Sequence, residues 1–437
     1  MQYNIMTFGA LGNGIHNDTQ AIQAAIDTCR QNGGGRVLFP GGRVYRAGLL
    51  KLCSNIELHF EMGAVLMGSS QLSDYQLSGQ KTAVKKLHTP SYRNCEYDGT
   101  PSHYFLYAKD CHNVAITGRG IIDGNEDIFY GKVTHWRIEG SFYPRVPMLY
   151  AENVERLTIE DITFRRSAFW TVHLVGCRDV GIRGIRILNN LRMANCDGID
   201  PDHCQNVRIE GCHIQCANDC IVFKNTLSAM QYGPCENMTV SGCTLISTSS
   251  AIKFGSESED VMRNMVIENC VISRSNRGIA LQLRDKGSIE NIVFHNLVIS
   301  TRLFHKDMYW GQAEPISVTV LPRKENTQVG IIRNIRFSNI LCEGENGIFL
   351  YSQTPGHLQH IFFDGITLHL HRQTAHGLGA HDLRPTCGPT STNAGLAHVH
   401  ACNANHVFFH NCQWTAEIPA TPCIAENCQN FHMEKTE

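Results

Sequence analysis

No apolar run in this 437-residue chain approaches the roughly 18 residues that a membrane-spanning helix needs. Net charge is also nearly absent: 38 Lys and Arg stand against 40 Asp and Glu, a formal charge of −2. That balance removes the basic field on which sequence-independent attraction to nucleic acid or an anionic membrane depends, so neither partner is expected. Between Met1 and Phe8 there is no basic stretch leading into an apolar one. No secretory leader is read there, and a cytoplasmic location is expected. Helical periodicity is scarce. Its one clear instance is Thr19 to Gln31, where Ile22, Ala25, Ile26 and Cys29 share a face, with Asn17 or Asp18 placed to cap the start and Gly33 to end it.

Cysteine, by contrast, is plentiful: 19 residues, an odd number, expected as reduced thiols. Cys212, Cys216 and Cys220 are spaced evenly enough to raise a metal site, but zinc ligands come in tighter pairs at turns. With Cys204, Cys235, Cys243 and Cys270 they are read instead as small buried residues recurring on successive coils. No metal and no cofactor is expected.

A phrase recurs along the chain. Cys204-Gln-Asn-Val-Arg-Ile-Glu-Gly-Cys212 is followed by Cys235-Glu-Asn-Met-Thr-Val-Ser-Gly-Cys243, then Met262-Arg-Asn-Met-Val-Ile-Glu-Asn-Cys270 and Ile289-Glu-Asn-Ile-Val-Phe-His-Asn296. Its Asn falls at 206, 237, 264 and 291, in steps of 31, 27 and 27 residues. A period of that length means a solenoid. Each repeat holds short alternating apolar segments split by Gly, Asn, Asp or Ser, which is a strand pattern. The chain is therefore expected to be all-β, one solenoid domain over residues 1–437, with Thr19 to Gln31 as a short capping helix over its N-terminal end. The recurring Asn is expected to turn the chain in the left-handed conformation and bond its copies on neighbouring coils. Rhythm breaks at Leu72–Pro101, Phe129–Arg145, Ser300–Gly330 and Arg372–Asn393, and long loops on a rigid scaffold tend to carry function. Trp136, Tyr143, Tyr309 and Trp310 in these loops are either sugar-stacking platforms or packing residues.

Phe8-Gly-Ala-Leu-Gly-Asn-Gly14 and the capping helix after it resemble the start of polygalacturonase-family glycoside hydrolases and related β-helix lyases. The middle carries a more specific likeness. Ser167 to His173, with Trp170, resembles a segment bordering the cleft. Asn195-Cys-Asp197 resembles the family's Asn-Thr-Asp motif, and Asn218-Asp219 its Asp-Asp pair. Ser249-Ser250-Ala251 stands where Gly-His-Gly is expected, and Ala280-Leu-Gln282 where Arg-Ile-Lys is expected. The resemblance spans about residues 5–300 and implies a right-handed parallel β-helix of the pectin-lyase-like kind. It also implies an inverting glycosidase on plant cell-wall, pectin-related oligosaccharides, expected to be exo-acting.

Inverting hydrolysis needs one carboxylic acid on the leaving oxygen and carboxylates that activate water on the opposite face, about 6.5–9.5 Å apart. Strands of a sheet lie about 4.8 Å apart, so neighbouring coils can span that gap. Asp197 and Asp219 are 22 residues apart, about one coil, and are expected as bases on water. The departures shift the other roles. Asn218 stands where the family has its usual proton donor, which leaves Asp202 or Glu257 as donor candidates and His173 or His203 as weaker ones. Ser250 replaces the family's His, and Ala280 and Gln282 replace the Arg and Lys that hold a substrate carboxylate. Lys224, Lys253, Arg284 and Lys286 are candidate substitutes. Trp170, His173, Asn218, Lys224, Ser250, Lys253, Gln282, Arg284 and Trp310 are the expected substrate-binding residues. Two other readings stay open: a carbohydrate-binding β-helix without catalysis, favoured by Asn218 and Ser250, and a lyase or epimerase with Ca²⁺ on the acidic cluster.

Overall fold

The repeated phrase folds as read. The computed structural model describes residues 1–77, 101–305 and 310–434. All but four of its described strands pair in parallel with those about one coil away, as a right-handed parallel β-helix. Among the described residues, those up to Ala217 form one compact unit and those from Asn218 onward form a second. In the first unit, Ile116, Ile159, Ile182 and Ile209 are register partners on successive coils and point inward. In the second, Met238, Met265, Ile292, Ile335 and Ile361 do the same. The register step of 27 residues from Met238 to Met265 and on to Ile292 is the step of the recurring Asn.

That Asn does two jobs. At 237, 264, 291 and 334 its φ is 60°, 58°, 58° and 55°, the left-handed region that Asn tolerates better than most residues. Its side chain also bonds its copy one coil away, Asn291 Nδ2 to Asn264 Oδ1 at 3.2 Å and Asn334 Nδ2 to Asn291 Oδ1 at 2.6 Å. Inside the coil, Phe294, Phe337, Phe363 and Phe409 stack nearly parallel at 4.8, 4.8 and 4.3 Å between centroids. Truncating one such ring to alanine removes buried area and leaves a hole, at a cost of about 3–5 kcal/mol.

The capping helix runs from Thr19 to Gln31 and buries the four residues expected, Ile22, Ala25, Ile26 and Cys29. It packs on the strand Gly35–Phe39 in the first unit. Of the two candidate caps, the Asn17 side chain serves, accepting from the Thr19 backbone N–H at 3.1 Å. Asp18 is fully buried and bonds Leu11 N and Gly12 N instead, closing the preceding loop. The seven cysteines from Cys204 to Cys270 singled out by their spacing are all buried, as the stacked-residue reading requires. Among the described residues no helix is long and apolar enough to cross a membrane.

Candidate active site

Alternation decides which side chains leave the core. In the first unit the strands Leu149–Glu160, Val172–Val175 and Ile199–Asp202 align Tyr150, His173 and Asp200 in one outward column. Asp202 lies one pleat further along the last strand. The His173 ring sits edge-on to Trp170, 4.7 Å between centroids, and to Tyr150 at 5.1 Å. Its Nε2 is 3.9 Å from Asp202 Oδ2, and His203 Nε2 is 3.9 Å from Asp202 Oδ1. Trp170 stacks flat on Phe169 and is almost wholly buried. Asp197 ends the turn before this strand, and its carbonyl accepts from Thr171 N and Oγ1 at 2.9 and 2.7 Å. Buried Arg145 pins the same turn: it donates to Ala168 O at 2.6 Å, to Phe142 O at 3.0 Å and to Ala194 O. Tyr143 also packs, edge-on to Phe169, whereas Trp136 is exposed. Tyr309 and most of the loop at Leu72–Pro101 lie outside the described residues.

In the second unit, Asp219 precedes the strand Ile221–Asn225. Its Oδ1 accepts from Ser249 Oγ at 2.9 Å and from Ser250 N at 3.1 Å, and its Oδ2 from Lys253 Nζ at 2.8 Å. Ser250 therefore acts here through its backbone, and the hydroxyl at this carboxylate belongs to Ser249, which the motif comparison had not singled out. Lys253 also lies 5.5 Å over the Trp310 ring. Further along the same two strands, Lys224 Nζ meets Glu257 Oε2 at 2.9 Å, both buried. Arg323 forks onto Asp285 at 2.8 and 2.9 Å and donates to Ser256 O at 2.5 Å. Neither Arg323 nor Asp285 was legible in advance, because Arg323 arrives from a long loop with no motif around it.

Two expected site residues have surroundings that the sequence did not show. Glu257, a candidate proton donor, is ion-paired with Lys224. Burial by itself would raise its pKa; the charges of Lys224, Arg323 and Lys253 and the Lys224 hydrogen bond outweigh that and hold it far below the usual carboxylate range. Arg284 was expected at the substrate. It is fully buried and spends its guanidinium on Pro385 O (2.6 Å), Leu283 O (3.0 Å), Thr319 O (3.0 Å), Thr319 Oγ1 (2.9 Å) and Leu383 O (3.3 Å). Lys286, another of the four substitutes considered, is exposed beside Glu259 at 3.8 Å.

Arg284 belongs to a latch. The hairpin Ala380–Asp382 with Ser391–Asn393, and the chain around it, lie over the outward face of the strands Ile316–Val320 and Ile348–Ser352. His381 stacks on Phe349 at 3.9 Å, and Leu383 joins Leu321 and Phe349. Arg277 bonds Glu314 at 3.0 Å and Asp382 O at 3.1 Å, and His381 Nδ1 meets Glu314 at 3.1 Å. Burial alone would push the Glu314 carboxyl up, but Arg277 and His381 hold it down at about 2.

The sequence matches the model of glycosyl hydrolases family 28 over residues 53–303, more than half of the chain. A probable polygalacturonase of Vitis vinifera is 30% identical over 264 residues, 58% of this chain and 51% of that protein. A mannuronan C5-epimerase of Azotobacter vinelandii is 32% identical over 136 residues, 31% of this chain and 12% of that one. The chain spans about half the length of the first curated polygalacturonases it matches. In fold it is similar to a Yersinia enterocolitica family 28 exopolygalacturonase, with 18% identity, a TM-score of 0.74, and coverage of 100% of this chain and 79% of that one. The motif segments from Asn195 to Gln282 fall inside the matched region, and the chain belongs to glycosyl hydrolases family 28.

Proposed function

We propose that the protein is an exo-acting, inverting glycoside hydrolase of pectin-related oligosaccharides, with Asp219 as a base on water. The observation that carries this reading is the seating of Asp219 inside the family-matched segment. Its carboxylate is buried, takes three donors and is turned by Ser249, Ser250 and Lys253 into one orientation. A base held that way can accept a water proton without first reorganising. Asp197 keeps the other family position for this task. Asn218 has no acidic proton and Glu257 is paired with Lys224, so Asp202 is the donor to test first, ahead of His173 and His203. Exo action is supported by the hairpin that covers the outward face at Phe349, which would end a saccharide track running along this sheet.

The test is product release from charged and neutral oligosaccharides with and without EDTA. Release of a monosaccharide alone, unchanged by EDTA and with inverted anomeric configuration, is the expected result. An unsaturated or epimerised product that disappears with EDTA would favour the lyase or epimerase reading, which the similarity to the mannuronan epimerase supports. No product from any substrate would favour a binding protein, with Asn218 as the reason.

A further inference from the structure

The outward face of the second unit holds three cations whose charges act on Glu257, and each is already committed. Lys253 is taken by Asp219 (2.8 Å), Lys224 by Glu257 (2.9 Å) and Arg323 by Asp285 (2.8 Å). All six groups are buried. Three positive charges meet three negative ones, so the cluster has no positive excess to offer an anionic ligand. Arg284 is spent on carbonyls and Thr319, and Lys286 is out at the surface beside Glu259. The position in register with Gly255 is Gln282, which is neutral and 1% exposed, and its Oε1 accepts no hydrogen bond from the described residues.

Among the described residues, a sugar carboxylate brought to this face has two options. It can remain without a counter-ion in a buried site, or it can pull a lysine away and strand Asp219 or Glu257. Either leaves one unpaired buried charge. A neutral pyranose breaks no pair: its hydroxyls donate to carboxylate oxygens and to an amide oxygen, and accept from the remaining ammonium hydrogens. Resting on the glycosidase reading, we propose that the sugar bound at Lys253 and Gln282 is neutral at C6, carrying a hydroxymethyl or methyl group rather than a carboxylate.

The experiment uses pairs of oligosaccharides that differ only in carboxylate or hydroxymethyl at C6 of the terminal sugar, in galacto-, gluco- and manno-configured series. In whichever series the full-length protein hydrolyses, kcat/KM should favour the hydroxymethyl member by at least about tenfold. A preference for the carboxylate member overturns the inference. Gln282→Lys, which adds an unmatched cation, should move the ratio toward the carboxylate member; an unmoved ratio also overturns it. If the wild type hydrolyses nothing, the glycosidase reading fails by itself, and calorimetric titration with the same pairs decides the inference: tighter binding of the hydroxymethyl member sustains it. Tighter binding of the carboxylate member, or no binding of either, overturns it.

Discussion

Two carboxylates of the second unit look alike in sequence and differ in environment. Asp219 takes two neutral donors and one ammonium, whereas Glu257 sits among Lys224, Lys253 and Arg323. Asp219→Asn keeps the shape and removes the base. Turnover should fall by about 10²–10⁴-fold with an unchanged circular dichroism spectrum, and retained activity would refute the assignment. Glu257→Gln should behave differently. It strands buried Lys224 and should cost about 3 kcal/mol in urea unfolding, while turnover stays within about tenfold of wild type. A loss as deep as that of Asp219→Asn would restore Glu257 as the proton donor.

At the scale of elements, the asparagine ladder and the hairpin latch are both testable. Asn291→Ala places a Cβ without a local hydrogen bond at φ 58° and deletes bonds to Asn264 and Asn334. It should lower stability by about 1–2 kcal/mol, and Asn291→Gly by less, since only the ladder is lost there. Exchanging 374–390 for a short Gly-Ser linker should change the product pattern from single sugars to mixed lengths in timed chromatograms. An unaltered pattern would mean that the hairpin is not the end stop. The same hairpin marks a limit of sequence reading. Arg372–Asn393 was visible as a break in rhythm, but nothing in its composition said that it folds back onto Phe349 and engages Arg277 and Arg284.

For the molecule as a whole, the buried ionisable groups of the latch predict how stability responds to pH. The Glu314 carboxyl is held at about 2, below its ordinary 4.5. Its contribution is complete above pH 4.5 and is lost as pH falls toward 2. His400, on the strand Ala397–Cys402, has its ring 5.3 Å from that of His381. Burial, then the His381 charge, lowers His400 from 6.5 to about 4, so the fold keeps it neutral; its penalty on protonation grows as pH falls from 6.5 toward 4. Both terms act in the acid direction. The urea midpoint should therefore fall in two steps between pH 6.5 and 2, the upper step missing in His400→Phe and the lower one in Glu314→Gln. A midpoint that is flat across that range would contradict the ion-pair account of the latch.

The sequence by itself determined the repeat, its coil length, the capping helix, the left-handed asparagines and the positions where family motifs are altered. All of these are local or periodic properties, written in spacing and backbone preference. Only the tertiary structure decided what those altered positions do. Whether a lysine or arginine is free for a ligand or bound to a carboxylate depends on residues 33 to 38 positions away, as between Lys224 and Glu257 at 33 or Asp285 and Arg323 at 38. Such pairings arise from stacking coils and folding loops back over them, and no spacing rule along the chain encodes them.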